Sequence, residues 1–361
     1  MKKQRFAFIF ALIIASAFSN FAQTPKPTPP EDEEVIKVNS RLVVVPVSVT
    51  DAGGQPVLGL KAQDFRVLEE NKVQQVEQVS DAEKVPLEIA LLLDVSSSVN
   101  KIFELEKSAA AQFLQGVMRP EDRATIFLIS DRPILLQARD TADAASIKVR
   151  SVVSAKVATA TAFYDSVTAA ANYLNANAQP RSRRVILSLS DGEDNYSQSI
   201  RNPTVAAYKN LDINNLTQKD LDRRANQTVK SHTAAQANVL KALQNTDTVF
   251  YTINASGPSV RLNLASRRAQ DALQQFADQT GGTAFLPQFV TEKNSTSFEQ
   301  QNIKILDVIF RQISAELRAQ YLVQFYSEAE FPTNRYVRLN VGLNNPQKLR
   351  VRARQGYFVK N

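Results

Sequence analysis

Five oxygen-bearing side chains, Asp94, Ser96, Ser98, Thr161 and Asp191, stand at the ends of apolar runs or at the start of a helical one. The first three form D-x-S-x-S, placed where Leu87–Asp94 (L-E-I-A-L-L-L-D) stops. A run with so little polar alternation reads as a strand buried on both faces of a parallel sheet. In open α/β sheets, ligand sites lie just beyond the carboxyl ends of strands. Carboxylate and hydroxyl oxygens are hard donors, which suit Mg²⁺, Mn²⁺ or Ca²⁺ better than zinc or copper. The spacing alone is a weak signal, arising by chance in roughly one chain in ten of this length at average residue usage. A serine among Ser96, Ser97 and Ser98 that merely caps the following helix explains it equally well.

Two later segments carry matching chemistry. Thr159–Asp165 (T-A-T-A-F-Y-D) opens a helix with Thr161 in its first turn, and Val185–Asn195 (V-I-L-S-L-S-D-G-E-D-N) is a second buried strand ending in Asp191-Gly192. Thr161 could be only a cap and Asp191-Gly192 only a turn. The conjunction is what informs: three boundaries at one sheet edge, each supplying oxygen.

On these residues the chain resembles a von Willebrand factor type A (VWA) domain, whose metal-ion-dependent adhesion site is D-x-S-x-S, then a Thr, then an Asp. The matching positions are Asp94, Ser96, Ser98, Thr161 and Asp191, and the resemblance spans 86–317, with T-A-F-Y-D, S-D-G-E-D-N and A-D-Q-T-G-G-T-A-F as supporting segments. The flanking V-T-D-A-G-G-Q-P-V-L-G-L-K-A-Q-D-F and V-R-A-R-Q-G-Y-F resemble a secreted, acidobacterial-type bacterial subgroup. Thr159-Ala160 departs from the family, which often has glycines there. The resemblance implies that Ser96, Ser98 and Thr161 touch a Mg²⁺ (or Mn²⁺ or Ca²⁺) ion directly while Asp94 and Asp191 act through water. A cation held mainly by neutral hydroxyls keeps much of its charge and takes a carboxylate from a protein partner to complete its coordination. The implied function is therefore cation-dependent protein binding.

The elements that must position these residues alternate in type. Strands at Leu87–Asp94, Ala124–Ser130, Val185–Ser190, Thr248–Asn254 and Thr283–Leu286 are interleaved with helices at Ile102–Met118, Ala142–Val153, Ala162–Leu174, Leu264–Asp278 and Ile303–Leu317. Ile134–Gln137 reads as an antiparallel edge strand. This order predicts an α/β, doubly wound, mostly parallel Rossmann-like sheet. The polar stretch 197–239 interrupts the rhythm as a long insertion, helical in pattern from Leu221 and otherwise read as a solvated decoration or a shaper of the binding face. Segments 35–85 and 318–361 are all-β, with three strands before and four after. Together they predict one small β-sandwich into which the α/β domain is inserted. Pro46 suggests an edge or a bulge in the first strand.

The chain has 361 residues, of which 43% are hydrophobic, enough for a substantial core. Residues 1–22 read as a secretory signal: Lys2, Lys3 and Arg5, an apolar Phe6–Ala17, then small residues ending at Ala22. The alternative is an uncleaved anchor, for which the apolar stretch is short. Residues 23–34 are a proline-rich, then acidic linker. The expected location is periplasmic or extracellular. Loss of the three leader cations lowers the net charge from +7 to +4, too mild and dispersed for nucleic acid. With no cysteine there is neither a disulfide nor a thiolate metal site. An enzyme is not expected. The one histidine, His232, falls in the polar insertion as a solvated residue, and no G-x-S-x-G or H-E-x-x-H occurs. The Asp191, Glu193 and Asp194 cluster reads as a solvated turn rather than a second ion site. A metal-dependent hydrolase and an envelope protein with a vestigial site are the competing readings.

Overall fold

The computed structural model describes residues 40–96, 102–153, 160–208, 217–254, 256–257, 263–290, 297–346 and 348–360. The expected signal, the linker and Ser98 lie outside these residues.

The described residues open with four strands: β1 (Arg41–Thr50), β2 (Phe65–Glu69), β3 (Lys72–Gln74) and β4 (Gln78–Asp81). The α/β elements follow: β5 (Leu87–Asp94), α1 (Phe103–Val117), β6 (Arg123–Ile129), β7 (Pro133–Asp140), α2 (Ala142–Arg150), α3 (Phe163–Asn177), β8 (Arg183–Leu189), α4 (Gln198–Tyr208), α5 (Gln218–Asn245), β9 (Thr248–Ile253), α6 (Leu264–Thr280), β10 (Ala284–Phe285) and α7 (Ser297–Arg318). Four strands close the chain: β11 (Tyr321–Ser327), β12 (Tyr336–Leu343), β13 (Arg350–Ala353) and β14 (Gly356–Phe358).

The central sheet has the order β10-β9-β8-β5-β6-β7, parallel throughout except for the antiparallel edge strand β7. β5 lies inside it and is buried along its whole length. Its side chains alternate between two cores. Ile89, Leu91 and Leu93 pack towards α1, α2 and α7, while Ala90 and Leu92 pack towards α3, α5 and α6. Helices on both faces explain why the strand reads as an apolar run rather than an alternating one. This is the doubly wound, Rossmann-like α/β arrangement expected from the sequence.

The flanking strands form two four-stranded sheets, β13-β1-β11-β4 and β14-β12-β2-β3. They share one core of Val43, Val45, Val47, Phe65, Val67, Val323, Phe325, Val337 and Leu339. Each sheet takes two strands from either end of the chain, alternating in the first and side by side in the second, so the sandwich is built from both. Glu69, 2% exposed, accepts from Ser327 Oγ at 2.8 Å and from Tyr357 Oη at 2.7 Å, and so ties β2 to β11 and β14.

Three expectations are corrected. Val73–Val79 is not one strand: it divides into β3 and β4, which belong to different sheets, giving eight strands rather than seven among the described residues. β1 is an interior strand, not an edge. It tolerates Pro46 because pairing to β13 begins only at Val47, so the proline falls just outside that ladder. In the polar insertion the helix expected from Leu221 is α5, preceded by α4, and it is packed against the domain rather than a solvated decoration. α5 starts at a capping box between Thr217 and Asp220 and buries Ser231, His232, Ala235, Val239 and Leu243 at helical spacing.

Removing residues 320–361 would strip β1 of both its neighbours. Residues 40–85 are then expected to lose their protection against trypsin; a truncated chain in which they stay protected would contradict a shared sandwich. Within the full chain, Phe325→Ala, at a side chain 0% exposed, should cost about 3–5 kcal/mol in urea unfolding.

Candidate metal centre

Asp94 ends β5 and is 1% exposed. Its carboxylate is fixed from two sides. Oδ1 accepts the Ser96 backbone N–H at 2.9 Å, and Oδ2 accepts Ser190 Oγ at 2.7 Å. The second bond joins the carboxyl ends of β5 and β8. Ser190 Oγ in turn accepts the Gly192 N–H at 3.0 Å, so one hydroxyl orders both the Asp94 carboxylate and the Asp191-Gly192 turn. Gly192 has φ of +76°, and a Cβ there would lie 2.8 Å from Leu273 Cγ, so both the backbone and the packing require glycine. Asp191 accepts the Glu193 N–H at 3.0 Å and faces Ser256 Oγ at 3.3 Å.

The loop after Asp191 positions Thr161. Asn195 Oδ1 accepts the Thr161 N–H at 2.8 Å, and the Thr161 carbonyl accepts the Asn195 and Tyr196 N–H groups, each at 3.0 Å. The next residue, Ala162, donates to the Ser130 carbonyl at 2.7 Å, anchoring the same turn to the end of β6. Asp194 caps α3 by accepting the Tyr164 N–H at 2.7 Å, and also accepts the Ser197 N–H at 2.9 Å. Asp194 is thus a buried structural carboxylate, 8% exposed, and the expectation of a solvated Asp191–Asp194 turn is corrected.

The structure therefore brings the segments carrying Asp94, Ser96, Thr161 and Asp191 to one edge of the sheet. Among the described residues, no group of three or more His, Asp or Glu side chains converges closely enough to hold a metal ion. A cation at this edge would depend on hydroxyl oxygen, which Ser96 and Thr161 can supply. Both are buried, so water competes weakly for the position.

Burial, augmented by neighbouring Asp191, pushes Asp94 up to about 6 despite the hydrogen bonds from Ser190 and Ser96. Glu106 on α1 is pushed up to about 8 by burial and by the charges of Asp94 and Asp191. It is 2% exposed, and its Oε1 has no hydrogen-bond partner. Glu106, Ser190 and Asn195 were not recognised in the sequence. A signal for Glu106 was present: it sits three residues after Phe103 and four before Ala110, on the apolar face of α1, where a carboxylate is out of place.

His232 is also corrected. It is 7% exposed rather than solvated, with Nδ1 3.3 Å from Tyr164 Oη, and burial beside Arg268 pushes it down to about 4. It is a neutral imidazole wedged between α5 and α3, and its hydrogen-bond partner is Tyr164, not an oxygen of the candidate site.

No family model and no curated protein matches the chain. Solved structures that resemble it include an aerotolerance-related membrane protein from Bacteroides fragilis, at 13% identity and TM-score 0.35, over 62% of this chain and 99% of that one. Another is proximal thread matrix protein 1 from the mussel byssus with a zinc-occupied MIDAS motif, at 14% identity and TM-score 0.39, over 69% of this chain and 50% of that one. A third is the PilB minor pilin from Streptococcus sanguinis, at 14% identity and TM-score 0.41, over 64% and 62%. The chain spans about half of the mussel protein's length. At these TM-scores the fold assignment rests on the strand order itself.

The buried carboxylates predict a pH dependence for the protein in chelator. Asp94 and Glu106 bind their protons more tightly folded than unfolded, so their contribution to stability is complete below the unfolded values. It is lost as pH rises, from 3.8 to about 6 for Asp94 and from 4.5 to about 8 for Glu106. In EDTA, the melting temperature of wild type relative to Asp94→Asn should therefore fall as pH rises through the Asp94 window. A difference that is flat or rises there would contradict the assignment.

Proposed function

We propose that this chain is an exported VWA-type binding protein. It recognises an acidic group on a protein partner through a divalent cation held at the β5–β8 edge of the sheet. The observation that carries this reading is the interlocking of three segments around buried oxygens: Ser190 bonded to Asp94, Asn195 bonded to Thr161, and Asp94 in the field of Asp191. Export rests on the leader-like first 22 residues and the proline-rich linker.

The residues present fit a hard divalent cation. Two acidic groups buried near each other are costly without a counter-charge, and a cation supplies it. When bound, the ion offers a Lewis-acidic position to an incoming carboxylate. The protein's part is orientation and exclusion of water. Ser96 and Thr161 would be the direct donors, joined by Ser98 from the family pattern. Asp94, held by Ser190 and the Ser96 N–H, and Asp191 would act from behind them. Neutral donors leave the ion's charge largely uncompensated towards the partner, which favours an acidic side chain over a neutral or basic one. The ion is expected to be Mg²⁺ or Mn²⁺, with Ca²⁺ also compatible with the donors.

Beads carrying polyglutamate provide a direct test. At 0.15 M salt the full chain should be retained in Mn²⁺ and released by EDTA, and Asp94→Ala should not be retained. Retention of Asp94→Ala equal to wild type would assign the binding to general surface charge. Calorimetric Mn²⁺ binding without any carboxylate preference would favour a structural ion instead.

A further inference from the structure

We propose that an arginine-lined cleft beside β13 binds a short acidic saccharide, taking its acid groups on guanidinium forks and its hydroxyls on side-chain amides. The inference is independent of the cation site. That site lies at the carboxyl ends of the parallel strands, whereas Arg354 of the cleft pairs with Asp247, just before β9 begins.

The cleft is built by alternation. In L-R-V-R-A-R-Q (349–355), Val351 and Ala353 pack against the sandwich core, and Arg350, Arg352 and Arg354 fall on the opposite side. β13 is the edge of its sheet. Charge on an edge strand deters pairing with other chains, which accounts for exposed cations there. It does not account for Arg352 and Arg354, whose side chains are only 31% and 12% exposed. With Arg350, and with Arg338 of β12, they line a cleft of about 800 Å³, within the size range of small-molecule sites. The β2–β3 turn and the end of α6 complete its walls.

The charges favour an anion. Arg338 pairs with Glu70 at 3.1 Å, Arg352 lies 3.7 Å from Asp278, and Arg354 and Lys360 share Asp247. Five cations thus meet three acids. Arg350 has no acidic partner among the described residues, and the Arg352–Asp278 contact is too long for a hydrogen bond. One Arg352 nitrogen donates to the Gly282 carbonyl at 3.2 Å. All four cations lining the cleft are arginine, which suits two-pronged binding of carboxylate or phosphate.

The remaining polar groups favour a sugar as the carrier. Asn71, Asn340, Gln279 and Gln355 also line the cleft, and their side-chain amides make no hydrogen bond among the described residues. An amide both donates and accepts, as a hydroxyl does. An acidic peptide added as a strand is disfavoured, because the end of β13 is closed. Thr280 bridges Arg354, and the Gln355 N–H donates to the Gln279 carbonyl at 3.1 Å. That leaves three residues of open edge, short for strand addition.

Calorimetric titration of trigalacturonate into the full chain, in EDTA at 0.15 M salt, tests the inference apart from the cation site. Glucose 1,6-bisphosphate tests phosphate as the acid group, maltotriose tests a neutral sugar, and triglutamate tests charge without hydroxyls. At least one of the two acidic sugars should bind saturably, with maltotriose and triglutamate at least about tenfold weaker. Arg350→Gln and Asn340→Ala change exposed side chains that make no internal hydrogen bond, so both should melt with wild type. Both should weaken binding of the acidic sugar, Arg350→Gln by about tenfold or more. Triglutamate binding as tightly as the acidic sugars would make the cleft a reader of charge alone and overturn the saccharide assignment. Absence of binding by both acidic sugars, or affinity unchanged in Arg350→Gln, would overturn the inference outright.

Discussion

The arrangement at the β5–β8 edge follows from burying Asp94. A carboxylate at the end of an interior strand of a parallel sheet has lost its water, and replacing it requires donors from elsewhere in the chain. Ser190 and the Ser96 N–H provide two, at 2.7 and 2.9 Å. That need couples the ends of β5 and β8, strands almost a hundred residues apart in sequence, and it fixes where Asp191 must turn. The Asn195 bond to Thr161 and the Asp194 cap on α3 extend the same lock to a third segment. Hydrogen bonds occupy both oxygens of Asp94, yet burial and neighbouring Asp191 still push its carboxyl up to about 6. On the proposed reading, a divalent cation held by the oxygens present would favour the ionised carboxylate.

The sandwich serves the site indirectly. It holds β1 between β11 and β13, and because its strands come from both ends of the chain, the inserted domain is pinned at Leu87 and at Arg318. Thr283 Oγ donates to Glu316 at 3.0 Å, linking α7 to the approach to β10 within the inserted domain. At its end α7 runs straight into β11. Any displacement of α7 would therefore be felt in the sandwich.

Much of this was legible in the sequence, because parallel strands and helical spacing leave strong hydrophobic signatures. Leu87–Asp94 and Val185–Ser190 read as buried strands and are β5 and β8; Ile134–Gln137 read as an antiparallel edge and is the core of β7. The seam between Val73 and Val79 was not legible, since a strand that changes sheets keeps the same residue types. The insertion's helix was legible from Leu221 but its packing was not, because polar composition conceals one buried stripe, His232, Ala235, Val239 and Leu243, that lies against α3. For the same reason His232 read as solvated. Of the candidate site, Asp94, Ser96, Thr161 and Asp191 were singled out by spacing and by family resemblance, and their segments meet at one sheet edge. Ser190 and Asn195 were missed because they orient other residues, and Glu106 because the apolar residues around it dominate the pattern of α1.

The central claim is that hydroxyl and carboxylate oxygens at the β5–β8 edge hold a divalent cation. The most direct measurement is anomalous diffraction from crystals of the chain grown with Mn²⁺. The account predicts an anomalous peak within about 2–2.5 Å of the Ser96 and Thr161 hydroxyl oxygens, with Asp94 and Asp191 behind them. A peak confined to surface acids such as Asp247, with this edge empty at saturating Mn²⁺, would contradict it.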